Sequence, residues 1–180
     1  MSATDPDTVF TTLRLKVRKW QPHESEAIQR IWGDPEVMRY LLTTTPVDEQ
    51  TADLLLSRFL ERYRDFPGLG NWSVVEKASS EIIGHVCIWP TPDHNERELG
   101  YHIIRDRWGM GYATEAARGA IRYAFDELEL DRIVASVHPD NLASQRVLEK
   151  CCFSQIGSYT FKGKDQLKYE LRKGSQITSS

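Results

Sequence analysis

Residues Arg107–Phe125 read RWGMGYATEAARGAIRYAF. A short Gly-containing turn opens directly into a segment with helical periodicity. Ala113, Ala116, Ala117, Ala120, Ile121, Ala124, Phe125 and Leu128 recur on one stripe, which predicts an amphipathic helix packed on a core. Gly109 and Gly111 leave the entering backbone uncrowded. The first turn of such a helix presents free N–H groups and the positive end of its macrodipole, an anion site suited to a phosphate or pyrophosphate. Two familiar nucleotide signatures do not fit. The second Gly is followed by Tyr112, Ala113 and Thr114, so a G-x-G-x-x-G dinucleotide fingerprint is absent, and no Lys follows Gly111 as in a nucleotide P-loop. Taken alone, the turn also reads as a plain strand-to-helix connection.

The flanking segments add context. Glu98–Ile104, ELGYHII, reads as a strand. Beyond the helix, Arg132–Val137 alternates Ile133, Ala135 and Val137 as a second strand. His138-Pro139-Asp140-Asn141 then leads into a short helix, Leu142–Lys150. This order (ELGY, WGMGYATEAA, a strand, then HPDNLASQRVLEK) resembles the GNAT superfamily of acyl-CoA-dependent N-acetyltransferases, and within it the branch that includes the ribosomal-protein N-terminal acetyltransferases RimJ and RimL. The segment TLRLKVRKWQPHESEAI looks like the opening strand and helix of that branch, so the resemblance runs from about Thr11 to Leu171. It implies an α/β (α+β layered) fold with a central mixed, mostly antiparallel sheet and helices on both faces.

Composition sets the outer bounds. A chain of 180 residues has room for one substantial core. With 23 Lys+Arg against 26 Asp+Glu, the net charge of −3 gives no electrostatic case for a nucleic-acid partner. No apolar run approaches membrane-spanning length, and MSATDPDTVF lacks the pattern of a secretory signal. Cys87, Cys151 and Cys152 form neither a disulfide framework nor a zinc pattern, so reduced thiols in a cytoplasmic protein are expected.

Along the chain, residues 1–9 and 174–180 read as tails around a single domain over 10–173. Thr12–Arg18 is expected as one strand that buries Leu13, Leu15 and Val17, and His23–Trp32 as a helix. Thr45-Pro46 is expected to start a longer helix reaching about Tyr63. Trp72–Glu76 and Ile82–Trp89 read as a hairpin, as do Ser154–Phe161 and Asp165–Leu171 around Lys162-Gly163-Lys164. Trp72, Trp89, Tyr159 and Phe161 are expected in the core. Helices on both faces of mixed strands make a layered domain.

Acyl transfer to an amine needs a held acyl-CoA, a neutral amine, a stabilised oxyanion and a proton source for the departing thiolate. The backbone of Gly109, Met110, Gly111, Tyr112, Ala113 and Thr114 is the candidate pyrophosphate site, with Arg105 and Arg107 as added charge. The resemblance places the pantetheine arm along the backbone of His102, Ile103 and Ile104 and against Asn141. It makes Glu98 the candidate base and Ser144 the candidate hydroxyl near the sulfur. Each has a plainer reading: Glu96 and Glu98 as strand-edge charges around Arg97, and Asn141 as a helix cap. Two positions depart from the family pattern. Trp108 stands where Gln or Arg is usual, and Cys152 stands where a Gly usually ends the helix. His85, His94 and His102 lack metal-ligand spacing, and no metal is expected.

The expected activity is direct transfer of acetyl from acetyl-CoA to a primary amine by a monomer or homodimer. The acceptor is a protein N-terminus or a small-molecule amine, bound among Trp32–Leu42, Thr45–Arg64 and the Trp89–Asn95 loop. A non-catalytic acyl-CoA-binding module is the reading from another class.

Overall fold

The computed structural model describes residues 5–92 and 95–175. The order of elements is β1 (Thr8–Thr11), β2 (Leu15–Lys19), α1 (Ser25–Trp32), α2 (Pro35–Met38), α3 (Glu49–Asp65), β3 (Gly70–Glu76), β4 (Ile82–Pro90), β5 (Arg97–Ile103), α4 (Tyr112–Asp126), β6 (Arg132–Val137), α5 (Leu142–Lys150), β7 (Ser154–Phe161) and β8 (Lys164–Arg172). The strands form one sheet in the order β1-β2-β3-β4-β5-β6-β8-β7. Every neighbouring pair is antiparallel except β5 and β6, whose parallel course requires the α4 crossover. Helices α1 and α3 pack on one face, on β4 and β3, and α4 and α5 pack on the other.

The α4 stripe is the predicted one. Ala116, Ala117, Ala120 and Ala124 are fully buried, and their small side chains let the helix lie close on the sheet. Gly119 takes this furthest: a Cβ there would stand 2.4 Å from the Phe10 ring. Trp72 meets Tyr123 of α4 edge-on at 5.4 Å, closing the core on that side.

Four expectations are corrected. Thr12–Arg18 is not one strand. The chain turns at Thr12-Leu13-Arg14, the Thr12 amide donates to the Leu15 carbonyl, and Leu13 is 89% exposed at the tip. The residues before the turn form β1, so Thr8 and Val9 belong to the sheet and not to a tail. Helix α3 starts at Glu49 and not at Thr45-Pro46, because the Val47 amide is held by the Trp32 carbonyl and Asp48 supplies the cap, accepting from the Thr51 amide at 2.8 Å. Tyr159 is 40% exposed and not in the core, since β7 is an edge strand exposed along nearly its whole length.

At the end of α5 the Cys152 amide donates to the Glu149 carbonyl and the Phe153 amide to the Leu148 carbonyl. This is a Schellman termination, and it places Cys152 in the left-handed region at φ 65°. Cys152 therefore carries the strain that a Gly would remove. Cys152→Gly is expected to raise unfolding stability by about 1 kcal/mol, net of the greater freedom of Gly in the unfolded chain. Urea unfolding of the two proteins checks this.

Beneath α1 and α3 lies an unusual pair of imidazoles. His85 and His102 stack at 5.6 Å, the Trp32 ring meets both edge-on, and the Phe59 ring stacks on His85. His85 Nε2 meets Asn71 Oδ1 at 2.9 Å, and both Nδ1 atoms are buried without a partner among the described residues. Burial holds both rings neutral. It pushes His102 down to about 4, and burial, with the neighbouring His102, holds His85 well below its ordinary value. Between the folded and unfolded values the unfolded chain binds more protons, so stability falls as pH drops from 6.5 toward 4. His102→Phe is expected to flatten that slope by about 1 kcal/mol per pH unit between pH 6 and 5. Chemical denaturation at several pH values checks this.

Candidate active site

The Gly turn has the predicted shape. After β5 the chain makes a single 3-10 turn at Arg105–Arg107, and Gly109 and Gly111 both adopt left-handed backbone, at φ 75° and 81°. A Cβ at Gly109 would meet nothing within 4 Å, so conformation and not crowding selects glycine. Gly111 is the N-cap of α4 and supplies no side-chain cap. The Glu115 amide donates to the Gly111 carbonyl at 3.0 Å, so the amides of Tyr112, Ala113 and Thr114 precede the first helical bond.

The side chains around the turn brace it. Trp108 Nε1 donates to the Ile103 carbonyl at 2.7 Å, tying the turn back to β5. The buried Tyr112 phenol donates to Glu76. Arg107 lies 3.5 Å from Glu76 and 3.3 Å from Glu81, an ion pair with the β3–β4 turn, while Arg105 is exposed.

One residue that sequence reasoning missed is Arg14, at the β1–β2 turn. Its Nη1 donates to the Met110 carbonyl at 3.0 Å, its Nε to Glu115 at 2.6 Å, and its guanidinium covers the Tyr112 ring at 4.2 Å. Burial alone would raise the Glu115 carboxyl. Bonds from the Thr12 hydroxyl, the Arg14 amide and the Arg14 guanidinium outweigh it and hold the group ionised below its ordinary value. In the sequence Arg14 is one of three basic residues, with Lys16 and Arg18, that alternate with Leu13, Leu15 and Val17, and nothing there singles it out.

Beside the turn, β5 and β6 part. Their register is a single pair, Glu98 with Val134, whereas β4 and β5 pair over seven residues. The Ile104 amide donates to the Ile83 carbonyl. Alternation along that ladder turns the backbone of Gly100 and His102 toward β4, and that of Tyr101 and Ile103 toward the gap. Of the expected backbone contacts, Ile103 thus faces the gap together with Tyr101, and the amides of His102 and Ile104 face β4 instead.

Glu98 stands where the strands part. Burial raises its carboxyl above the ordinary range, against hydrogen bonds from the Ser136 hydroxyl and amide that act the other way. Ser136 Oγ lies 2.8 Å from the Tyr159 phenol, so a chain of hydroxyls leads from Glu98 toward the surface. Glu96, two residues earlier, differs in kind. It is held by Arg132 and Lys168, each at 2.5 Å, while Glu98 has no ion pair among the described residues. The resemblance singles out Glu98, and the ion pairs of Glu96 give the physical difference between the two carboxylates.

Across the gap, Asn141 caps α5, accepting from the Ser144 amide at 3.1 Å. Ser144 Oγ lies 3.0 Å from the Tyr101 phenol. Tyr40, after α2, meets the His138 ring at 5.5 Å, and Lys164 Nζ holds the Leu41 carbonyl at 2.7 Å, fixing one candidate acceptor segment beside the β6–α5 turn. Arg62 lies over the Trp89 ring at 4.6 Å. The rest of the Trp89–Asn95 loop includes Asp93 and His94, which lie outside the described residues. Burial pushes the Cys87 thiol up to about 12 and Cys151 up to about 11, protonated values unsuited to a nucleophile.

An open, left-handed Gly turn at an uncapped helix start, next to a strand edge whose Tyr101 and Ile103 amides face away from β4, suits a long ligand with a pyrophosphate and an amide-bearing arm. Residues 14–154 match the family model described as an acetyltransferase (GNAT) domain. The chain is 32% identical over 153 residues to an uncharacterized N-acetyltransferase, p20, of Bacillus licheniformis, covering 84% of each protein. It is 28% identical over 156 residues to the FsC-acetyl coenzyme A-N(2)-transacetylase of Aspergillus fumigatus, covering 82% of this chain and 66% of that one. Its fold superposes with a TM-score of 0.77 on Mycobacterium smegmatis RimJ, solved in complex with CoA-disulfide, at 20% identity over 92% of this chain and 85% of that one. The chain belongs to the GNAT acetyltransferases and is an acetyl-CoA-dependent N-acetyltransferase.

Proposed function

We propose that this enzyme acetylates the N-terminal amine of a protein or peptide, with Glu98 as the base. The observation that carries the reading is a half-buried carboxylate, free of ion pairs among the described residues, standing where β5 and β6 part. Acetyl-CoA supplies the activated acyl group. The amides of the Gly109–Thr114 turn would hold its pyrophosphate, and the backbone of Tyr101 and Ile103, with Asn141, would hold its pantetheine arm. Glu98 takes a proton from the incoming ammonium, and its raised affinity for protons suits that task near neutral pH. The Ser136 hydroxyl steadies the carboxylate. Ser144 offers a hydroxyl toward the sulfur.

The sheet surface beyond Glu98 supports a macromolecular acceptor. Exposed β7 leaves that side open, so an extended chain terminus has room to approach across Ser136 and Tyr159. The likeness of the sequence to the RimJ and RimL branch supports the same class. A small-molecule amine is the second reading, and the Aspergillus relative, named as a transacetylase of FsC, favours it.

A panel of peptides and small amines, scored by release of CoA thiol, decides between the two acceptors. Turnover confined to peptides supports the first reading, and turnover confined to small amines overturns it. Gly111→Val forces a branched side chain into left-handed backbone beside the candidate phosphate site. It is expected to weaken acetyl-CoA binding at least tenfold while the protein stays folded, and calorimetry checks this. Glu98→Gln keeps shape and removes the base, so turnover is expected to fall about 100-fold at pH 7 with little change in acetyl-CoA affinity. The loss should shrink above pH 8, where an α-amine is neutral unaided. A pH–rate profile parallel to that of the unaltered protein would make Glu98 structural.

A further inference from the structure

We infer that Tyr101 is a positioning residue that spans the β5–β6 gap and aims the Ser144 hydroxyl at the thioester sulfur. The inference rests on the cofactor placement proposed above. Tyr101 sits three residues beyond Glu98, where the strands have already separated. Its side chain leaves β5 and reaches α5, so one phenol links the two walls of the gap. Its hydroxyl lies 3.1 Å from the Ser144 carbonyl and 3.0 Å from Ser144 Oγ. The phenol has one proton and two acceptors within reach.

Two arrangements follow. In the first, the Tyr101 O–H donates to the Ser144 carbonyl, and the Ser144 O–H donates back to the phenol oxygen. The serine proton is then held away from the gap. In the second, the Tyr101 proton turns to Ser144 Oγ, and the Ser144 O–H is free to donate to sulfur. A negative sulfur favours the second, since a hydrogen bond to a charged acceptor is the stronger one. No proton leaves the phenol in either arrangement. The Ser144 proton is shared with the thiolate as a hydrogen bond, and the proton that finally makes the thiol comes from the attacking nitrogen.

Without the phenol, Ser144 has another partner close by. A serine in the first turn of a helix bonds readily to nearby backbone carbonyls, which would turn its hydroxyl from the gap. The Ser144 amide is already fixed by Asn141, so the side-chain oxygen is the one part of the residue left to be aimed. Burial also holds the Tyr101 phenol above its ordinary value, so it remains a donor throughout the neutral range.

The test uses CoA itself and needs no acceptor. The thiol of bound CoA is titrated by its ultraviolet thiolate absorbance in the unaltered protein, in Tyr101→Phe, in Ser144→Ala and in the double variant. Each removes a donor aimed at sulfur, directly or through its neighbour. Both single variants are expected to raise the bound thiol's pKa by about one unit, and the double variant is expected to raise it no further. A Tyr101→Phe titration that matches the unaltered protein overturns the inference, and so do shifts that add in the double variant. CoA that fails to bind the unaltered protein overturns the cofactor placement and the inference together. Thiol shifts as expected, without turnover of any amine, would instead count against the acetyl-transfer reading alone. Tyr101→Phe removes one oxygen from a packed ring, and its thermal unfolding confirms that the comparison is made on folded protein.

Discussion

The parting of β5 and β6 is the constraint on which the rest of the molecule depends. Two parallel strands in one sheet normally pair along their length. Here they meet at one residue pair and separate, and each separated edge is left with backbone groups that need partners. The separation sets the place of everything functional. Glu98 stands at its start, Tyr101 reaches across it, Ile103 lies further along its edge, and the Gly turn follows one short 3-10 turn later. Helix α4 carries the chain over to β6 and so delivers its own uncapped start beside the same opening.

Charge is arranged to match. Glu76, Glu81, Glu96, Glu115 and Glu170 all have cationic partners, so most carboxylates near the site are neutralised in place. Glu98 is the exception among the carboxylates of β5 and its approach. Two cations at the turn are committed too, Arg107 to the β3–β4 turn and Arg14 to Glu115 and Met110, while Arg105 is exposed. In the proposed site, anion binding would fall chiefly to backbone amides, whose partial charges are fixed in direction and need no counter-ion when empty.

Local chemistry was legible in the sequence where one segment decides its own shape. The α4 stripe, the Gly turn, β6, α5 and β7 follow from periodicity and turn residues over sixteen positions or fewer. The strain at Cys152 was legible as well, because helix termination is local. What the sequence hid depends on partners far along the chain. Leu13 alternates correctly for a strand, yet the chain turns there to meet α4. Tyr159 has the character of a core residue and lies on an edge strand. Glu96 and Glu98 are alike until Arg132 and Lys168 choose one of them. Tyr101 and Ser144 are 43 residues apart, and nothing in either segment announces the other.

The clasp between Arg14 and Glu115 has a kinetic consequence. It closes a loop of 101 residues, so this brace on the Gly109–Gly111 turn forms only when the first hairpin and α4 have docked. Contacts of such separation form late, because the chain entropy lost in closing the loop is recovered only when the surrounding surfaces are in place. During synthesis the N-terminal hairpin leaves the ribosome with its principal partner still unmade. Order at the turn is then a report on long-range assembly: a molecule that has its turn braced has docked the β1–β2 hairpin on α4.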